Sequence, residues 1–318
     1  MNTTPKPKLT DTEFEEYLQR LQLTREELFA LTPEQQLYHL TERHTQSIPF
    51  GNIHVMEGRS VEINLSSIFQ KLVRDQQGGY CFEQNLLLFY VCRYLKFPVE
   101  LQGSRVVLSD ELPFTASHEL THVFLFVRVP VDHEENSQVF LLDVGFGGHG
   151  PVHPVRFDTA NPTTSFGSVF SFASRVERTP VLHNLRTLWY LTTTPQNSEE
   201  TGKTLFLYEM DMTREVILED IRLANYWIST HPDSIFTRNL FVSGVRRRGD
   251  DWTRVSLWNL RKTSTNLTTH KKTSTTLDSP SELFAALSEI SLRVEISSCE
   301  TLFRKLQSHA GDTAPINA

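Results

Sequence analysis

The sequence predicts an α+β fold, and three observations carry that prediction. Three helix-start signatures follow one another between Thr10 and Gln35. From Val99 to Tyr208 the chain is a succession of β-rich segments with no helix between them long enough for a βαβ unit, so an antiparallel sheet or barrel is expected. Between these regions lies Gly78–Leu95, apolar on every side after its first residues, which reads as a helix buried all round.

In order along the chain, residues 1–9 read as a disordered arm. Thr10 with Glu13, Thr24 with Glu27, and Thr32 with Gln35 form capping boxes, the last with Pro33 at the favoured first helical position. The first helix has Phe14, Tyr17, Leu18 and Leu21 at helical spacing, and the third ends before Ile48-Pro49 because a residue preceding proline is pushed out of the α region. Strands are expected at 99–108, 121–129, 139–144, 168–176, 188–193 and 205–208. Residues 215–228 carry a short helical pattern, and strands follow at 236–245 and 252–260. The Thr/Ser/Lys stretch 262–276 reads either as a flexible loop or as paired strands turning near Thr269-His270, the latter preferred. A final helix starts at Pro280 with Ser279 or Ser281 as its cap.

At 318 residues the chain is expected to hold two or three subdomains sharing a core. Thirty-eight acidic against 31 basic residues, a net charge of -7, argue against a general nucleic-acid or anionic-membrane binder. The first eight residues lack a signal-like apolar core, and no segment offers about 20 continuous apolar residues. Three cysteines without a framework pattern fit free thiols in a reducing, cytoplasmic setting.

One of those cysteines stands where chemistry is favoured. Gly78-Gly79 breaks regular structure and places Cys81 on or near the first turn of the buried helix, where free N–H groups and the helix dipole favour a thiolate. A lone cysteine in such a helix is otherwise a small inert core residue. Two polar residues in apolar β segments bear on the choice. Centring a hairpin turn near residue 133 sets His122 opposite residue 143 or 144, within reach of Asp143. Neither is easily buried alone, and paired they form an oriented base. With Cys81 they make a Cys-His-Asp set, in which His122 takes the thiol proton and Asp143 orients His122. The bland alternative is a structural His-Asp hydrogen bond beside an inert thiol. His118 and His149 fit no metal set, and no metal is expected.

Gly-Gly-Tyr-Cys-Phe-Glu-Gln-Asn at 78–85, Thr121-His122 with its apolar strand, and Asp-Val-Gly-Phe-Gly-Gly at 143–148 resemble, in order and spacing, the three signature blocks of the arylamine N-acetyltransferase family. The resemblance covers residues from about 10 to 300. It implies a helical domain with the nucleophile (1–98), a β-barrel domain with His and Asp (99–210) and an α/β lid domain (211–318), in a cysteine-proteinase-like arrangement. It further implies ping-pong transfer of an acetyl group, with propionyl and malonyl left open, from acetyl-CoA or another acyl-CoA through a Cys81 thioester to an arylamine, arylhydrazine or N-hydroxyarylamine. The resemblance implies a place in xenobiotic metabolism, with metabolite synthesis left open. By position, Phe50 and Phe146 match residues lining the pocket, and Arg238 falls in a segment bordering the coenzyme A cleft; core packing and a solvated surface arginine are the competing readings. Arg246-Arg247-Arg248 reads as a solvated turn.

Two positions depart from the family pattern. Its usual Arg before the glycines is Gln77, and its usual Glu after Pro-Phe is Gly51, so a coupled ion pair is expected to have been lost as a unit. A cysteine hydrolase or transglutaminase-like enzyme with the same triad, and a catalytically silent scaffold, are the other functional readings.

Overall fold

The computed structural model describes residues 7–111, 119–131, 133–178, 183–196 and 202–309. Helices open the chain: α1 (Asp11–Arg20), α2 (Arg25–Phe29) and α3 (Pro33–Ser47). Each starts with the expected reciprocal cap, the threonine oxygen accepting the N3 amide while the N3 side chain returns to the cap amide. The expected disordered arm is corrected at Leu9, which is buried against the helices. Short helices α4 (Ile53–Met56) and α5 (Leu65–Phe69) follow, and α5 runs into a π-helical turn, Gln70–Arg74.

Helix α6 (Cys81–Tyr94) is buried all round because it has neighbours on two sides. Leu86, Leu87 and Tyr90 enter a cluster with Phe14, Tyr17 and Leu18. Leu88 and Cys92 enter a second cluster with Val127, Phe140 and Leu142 of the sheet. The helix that begins with Cys81 is thus wedged between helices and strands.

The sheet contains β2 (Val99–Ser109), β3 (His122–Val131), β4 (His133–Leu142), β5 (Val155–Arg156), β6 (Thr163–Ser165), β7 (Ser168–Arg178), β8 (Leu185–Pro195) and β9 (Leu205–Met210). Its eight strands run in the order β5-β4-β3-β2-β9-β8-β7-β6, antiparallel throughout. The sheet curls into a nearly closed barrel: the Arg156 amide on one edge donates to Thr163 Oγ1 on the other, at 3.0 Å. Phe124, Phe172, Leu191, Leu207 and Tyr208 pack together in one buried cluster of this sheet.

Beyond the barrel come α7 (Leu218–Thr230), α8 (Ile235–Arg238), α9 (Pro280–Glu289) and α10 (Ile296–His309). With them are β10 (Phe241–Arg248), β11 (Asp251–Trp258), β12 (Arg261–Asn266) and β13 (Lys272–Thr276). A five-stranded sheet, β1-β10-β11-β12-β13, takes its edge from β1 (Phe50–Gly51), so the segment before the cysteine loop is sewn to the C-terminal part. Three expectations change here. The strand expected at 236–245 starts only at Phe241, because Ser234 caps the Phe236 amide and turns the chain into α8. Arg246–Arg248 is the end of β10, with Arg246 ion-paired to Glu289, and is no turn. Helix α10 was not expected. The Thr/Ser/Lys stretch does form paired strands, with His270 at φ 56° in their turn, and Ser279 caps α9.

Candidate active site

Cys81 opens α6 and is 4% exposed. The loop before it is clamped by backbone bonds: the Gly51 amide donates to the Gly79 carbonyl at 3.0 Å, and the Gly79 amide to the Pro49 carbonyl at 3.3 Å. A Cβ at Gly78 would sit 2.6 Å from the Pro49 oxygen, so no side chain fits there. Glu83 accepts the Tyr80 amide at 3.2 Å and pairs with buried Lys71 at 2.7 Å. Gln84 Nε2 donates to the Gly79 carbonyl at 2.9 Å, and Gln84 Oε1 accepts from His44 Nε2 at 3.0 Å. His44 Nδ1 in turn accepts from the Tyr17 hydroxyl at 3.0 Å. Burial pushes His44 down to about 3, so its ring is neutral, as this chain of bonds requires.

The Cys81 Sγ lies 3.5 Å from the carbonyl of Thr121, the residue before His122. His122 Nε2 is 2.7 Å from Asp143 Oδ2, both side chains fully enclosed. Burial by itself lowers the imidazole's proton affinity. The Asp143 charge and hydrogen bond, joined by contact with Cys81, outweigh it and raise the pKa from 6.5 to about 10. With Nε2 on Asp143, Nδ1 is the nitrogen left for the thiol. The β3–β4 ladder ends at Leu125–Leu142, so Asp143 is not a ladder partner of His122 as the hairpin count expected. It stands just past the strand, where the chain turns and its carboxylate swings back.

Burial pushes the other two thiols up, Cys92 to about 12 and Cys299 to about 11. Phe146 meets His122 edge-on with ring centres 5.1 Å apart. Phe50 packs with Phe236 at 6.2 Å and borders, with Asp143 and Phe146, a recess of about 20 Å³. That recess is far below the roughly 300–1,000 Å³ of small-molecule pockets, and neither Cys81 nor His122 lines it. Arg238 is held at the surface by the Pro232 carbonyl, at 2.6 Å, and by Asp233. His118 lies outside the described residues.

An N-acetyltransferase family model matches residues 35–297. The arylamine N-acetyltransferase of Mycobacterium bovis is 30% identical over 228 residues, covering 70% of each chain. That of Mycolicibacterium smegmatis is 29% identical over 242 residues, covering 75% of this chain and 76% of its own. The chain belongs to the arylamine N-acetyltransferase family. Its members are acyltransferases, and the fold agrees: the Mycobacterium abscessus arylamine N-acetyltransferase structure superposes with a TM-score of 0.76 at 22% identity, covering 96% of this chain and 99% of its own.

Within this N-acetyltransferase framework, four residues beside the candidate triad escape the sequence reading. Asn85, one turn after Cys81, donates through Nδ2 to Asp143 Oδ1 at 2.9 Å and to the Val123 carbonyl at 2.7 Å, while its Oδ1 accepts the Val144 amide at 3.0 Å. Gly145 presses on the helix so closely that a Cβ would fall 2.7 Å from Cys81 Cα. Tyr208 is buried beside His122, ring centres 5.0 Å apart, and burial followed by the charge of Asp143 holds its hydroxyl well above its usual range. Arg254, buried, donates to the carbonyls of Gly148 and Gly150 and so fastens the loop that carries Phe146. For Asn85 a signal existed: three consecutive polar residues, Glu83-Gln84-Asn85, in an otherwise apolar helix each require a partner. Tyr208 and Arg254 come from distant strands and had none.

Proposed function

We propose that this protein is an acyl-CoA:arylamine N-acyltransferase working by ping-pong transfer through a Cys81 thioester. The observation that carries the reading is the bond of 2.7 Å between His122 and Asp143, which holds a proton-accepting imidazole beside the Cys81 thiol. His122 takes the thiol proton and Asp143 stabilises the resulting imidazolium. The thiolate attacks the thioester carbonyl, and the carbon–sulfur bond to coenzyme A breaks as its sulfur takes the proton from His122. The acyl group then sits on Cys81. An aromatic amine attacks it, its proton passes to His122, and the Cys81 sulfur leaves. The first amides of α6, which have no acceptor within the helix, suit the tetrahedral oxyanion.

Family membership supports acyl-coenzyme A as the donor, and a Mycobacterium marinum arylamine N-acetyltransferase of the same fold has been solved with CoA. Phe50 and Phe146 are the proposed acceptor contacts, Phe146 lying edge-on to His122 with ring centres 5.1 Å apart. Acetyl is the proposed donor group, with propionyl and malonyl as the comparison. The test is release of free coenzyme A thiol on mixing the protein with acetyl-CoA and a simple aromatic amine. Release by the wild type and none by Cys81→Ser is expected. Equal release by both, or release that continues beyond one equivalent per protein molecule without amine, would overturn the transferase reading, the second in favour of hydrolysis.

A further inference from the structure

A cavity of about 680 Å³ lies against the loop that leads into α6 and is not lined by Cys81, His122 or Asp143. Its walls join the end of α1, the segment 75–78 and the connection between α9 and α10. Two of its guanidinium groups lack a counter-charge. Arg20 donates from Nε to the Leu72 carbonyl at 3.3 Å, but its Nη2 is buried with no hydrogen-bond partner. Arg293, exposed at the rim, makes no side-chain hydrogen bond or ion pair among the described residues. Both side chains line this one cavity, and burial, then the charge of Arg293, brings Arg20 down to about 10.

The other charges in the wall do not resolve this. Arg59 is paired with Glu57 at 3.2 Å, and Asp75, still charged because its Gln70 donor at 2.7 Å is a neutral amide, makes no ion pair with Arg20 or Arg293 among the described residues. Glu295 is the remaining carboxylate of the lining, and it is not among the influences acting on Arg20. Ser288 and Ser298 add uncharged donors. The volume exists partly because of the two positions where this chain departs from its family's pattern: Gly51 and Gln77 both line it. A Cβ at Gly51 would find only ordinary contacts, at 3.6 Å or more.

We propose that this cavity is a second ligand site, binding the phosphoryl group of a small molecule between Arg20 and Arg293. A tetrahedral dianion offers several acceptor oxygens to guanidinium donors lining one cavity, among them the unpartnered Arg20 Nη2. The ligand would lie against Gln77 and Gly78, four and three residues before Cys81 in sequence. The site does not depend on the transferase reading.

The test is calorimetric titration of inorganic phosphate, with chloride at matched ionic strength as control, into wild type, Cys81→Ser, Arg293→Gln, Arg20→Gln and Gly51→Glu. Binding by the wild type and by Cys81→Ser is expected, weakened about tenfold or more in Arg293→Gln and Gly51→Glu. Arg293 is exposed, so its variant keeps the fold, and Arg20→Gln needs its melting curve checked alongside. A parallel titration with coenzyme A separates the sources. If only coenzyme A binds in an Arg293-dependent way, the phosphoryl group is the donor's own; if phosphate alone binds so, it is a separate effector. No phosphate or coenzyme A binding that depends on Arg293, or a response equal to that of chloride, overturns the proposal.

Discussion

Asn85 Nδ2 donates to Asp143 Oδ1 over 2.9 Å, so the helix that presents Cys81 also holds the carboxylate that orients His122. The two ends of the proposed triad are therefore tied by a bond that bypasses its middle member.

Replacing Asn85 by alanine is expected to free Asp143 on one side and to leave the Val144 amide without its acceptor. A hydrogen bond to a charged group is worth about 2 kcal/mol, or roughly 30-fold in kcat/KM. The His122 titration, raised by Asp143 in the wild type, should move down in the variant when followed by NMR. An unmoved titration with lower activity would reduce Asn85 to a packing role.

Asp143→Asn removes the charge that raises His122. Burial, the largest influence, is then opposed by Cys81 alone, and the imidazole should titrate well below 10, as followed by NMR. The linkage has a definite sign. A raised folded pKa stabilises the protein fully below about 6.5, and the contribution fades as pH rises through about 10. Urea denaturation should therefore reveal an alkaline loss of stability in wild type that is reduced in Asp143→Asn.

His44 and His54 act in the opposite direction. Both are lowered to about 3, His44 chiefly by burial and His54 by burial together with Lys71 and Arg59. Their contribution is complete above 6.5 and is lost as pH falls towards 3. For fully buried His44 the loss between pH 7 and pH 5 should be about 2 kcal/mol. His44→Gln should flatten that part of the stability curve, whatever its effect at pH 7.

Gly51→Glu and Gln77→Arg should be coupled. Gln77 Oε1 accepts from His54 Nε2 at 2.7 Å, and an arginine at 77 would remove that acceptor and add a cation near Lys71 and Arg59. Glutamate at 51 alone would enter the same cavity without the arginine at 77 that accompanies it in the family pattern. The double variant should be more stable than the sum of the single changes by about 1 kcal/mol or more, and additive melting-temperature shifts would refute the coupling.

Gly145→Ala should be among the most damaging small substitutions. Its Cβ would fall 2.7 Å from Cys81 Cα, and backbone on both sides cannot give way cheaply. A loss of about 1–3 kcal/mol in stability is expected, with a parallel fall in Cys81 alkylation rate.

Much of this was legible in the sequence because the informative residues stand out against their background. Thr10, Thr24 and Thr32 announce helices that form as expected, since capping depends on residues three apart and little else. His122 and Asp143 are polar groups at the ends of apolar strands, where only mutual pairing makes burial tolerable. Long-range partners were not legible. The ring of Tyr208 reaches His122 only through strand order β3-β2-β9, and Arg254 reaches Gly148 across more than a hundred residues. Helix α10 carries Cys299, Leu302, Phe303 and Leu306 at helical spacing but lacks the strong threonine cap that marks the early helices. The π-helical turn that brings Lys71 to Glu83 has no simple periodic signature.

The polar trio at the start of α6 also bears on how the protein comes to be active during folding. Successive helical residues point about 100° apart, so Glu83, Gln84 and Asn85 face three directions and engage the π-turn, helix α3 and the loop after β4 respectively. A slip of the helix by a single residue would break all three attachments together. The alignment of Cys81, the proposed nucleophile, is therefore expected to be all-or-none and to wait until chain segments up to 59 residues apart have docked, as Asn85 and Val144 are. A partly folded or nicked chain should be silent rather than weakly active, and turnover would then count native molecules directly.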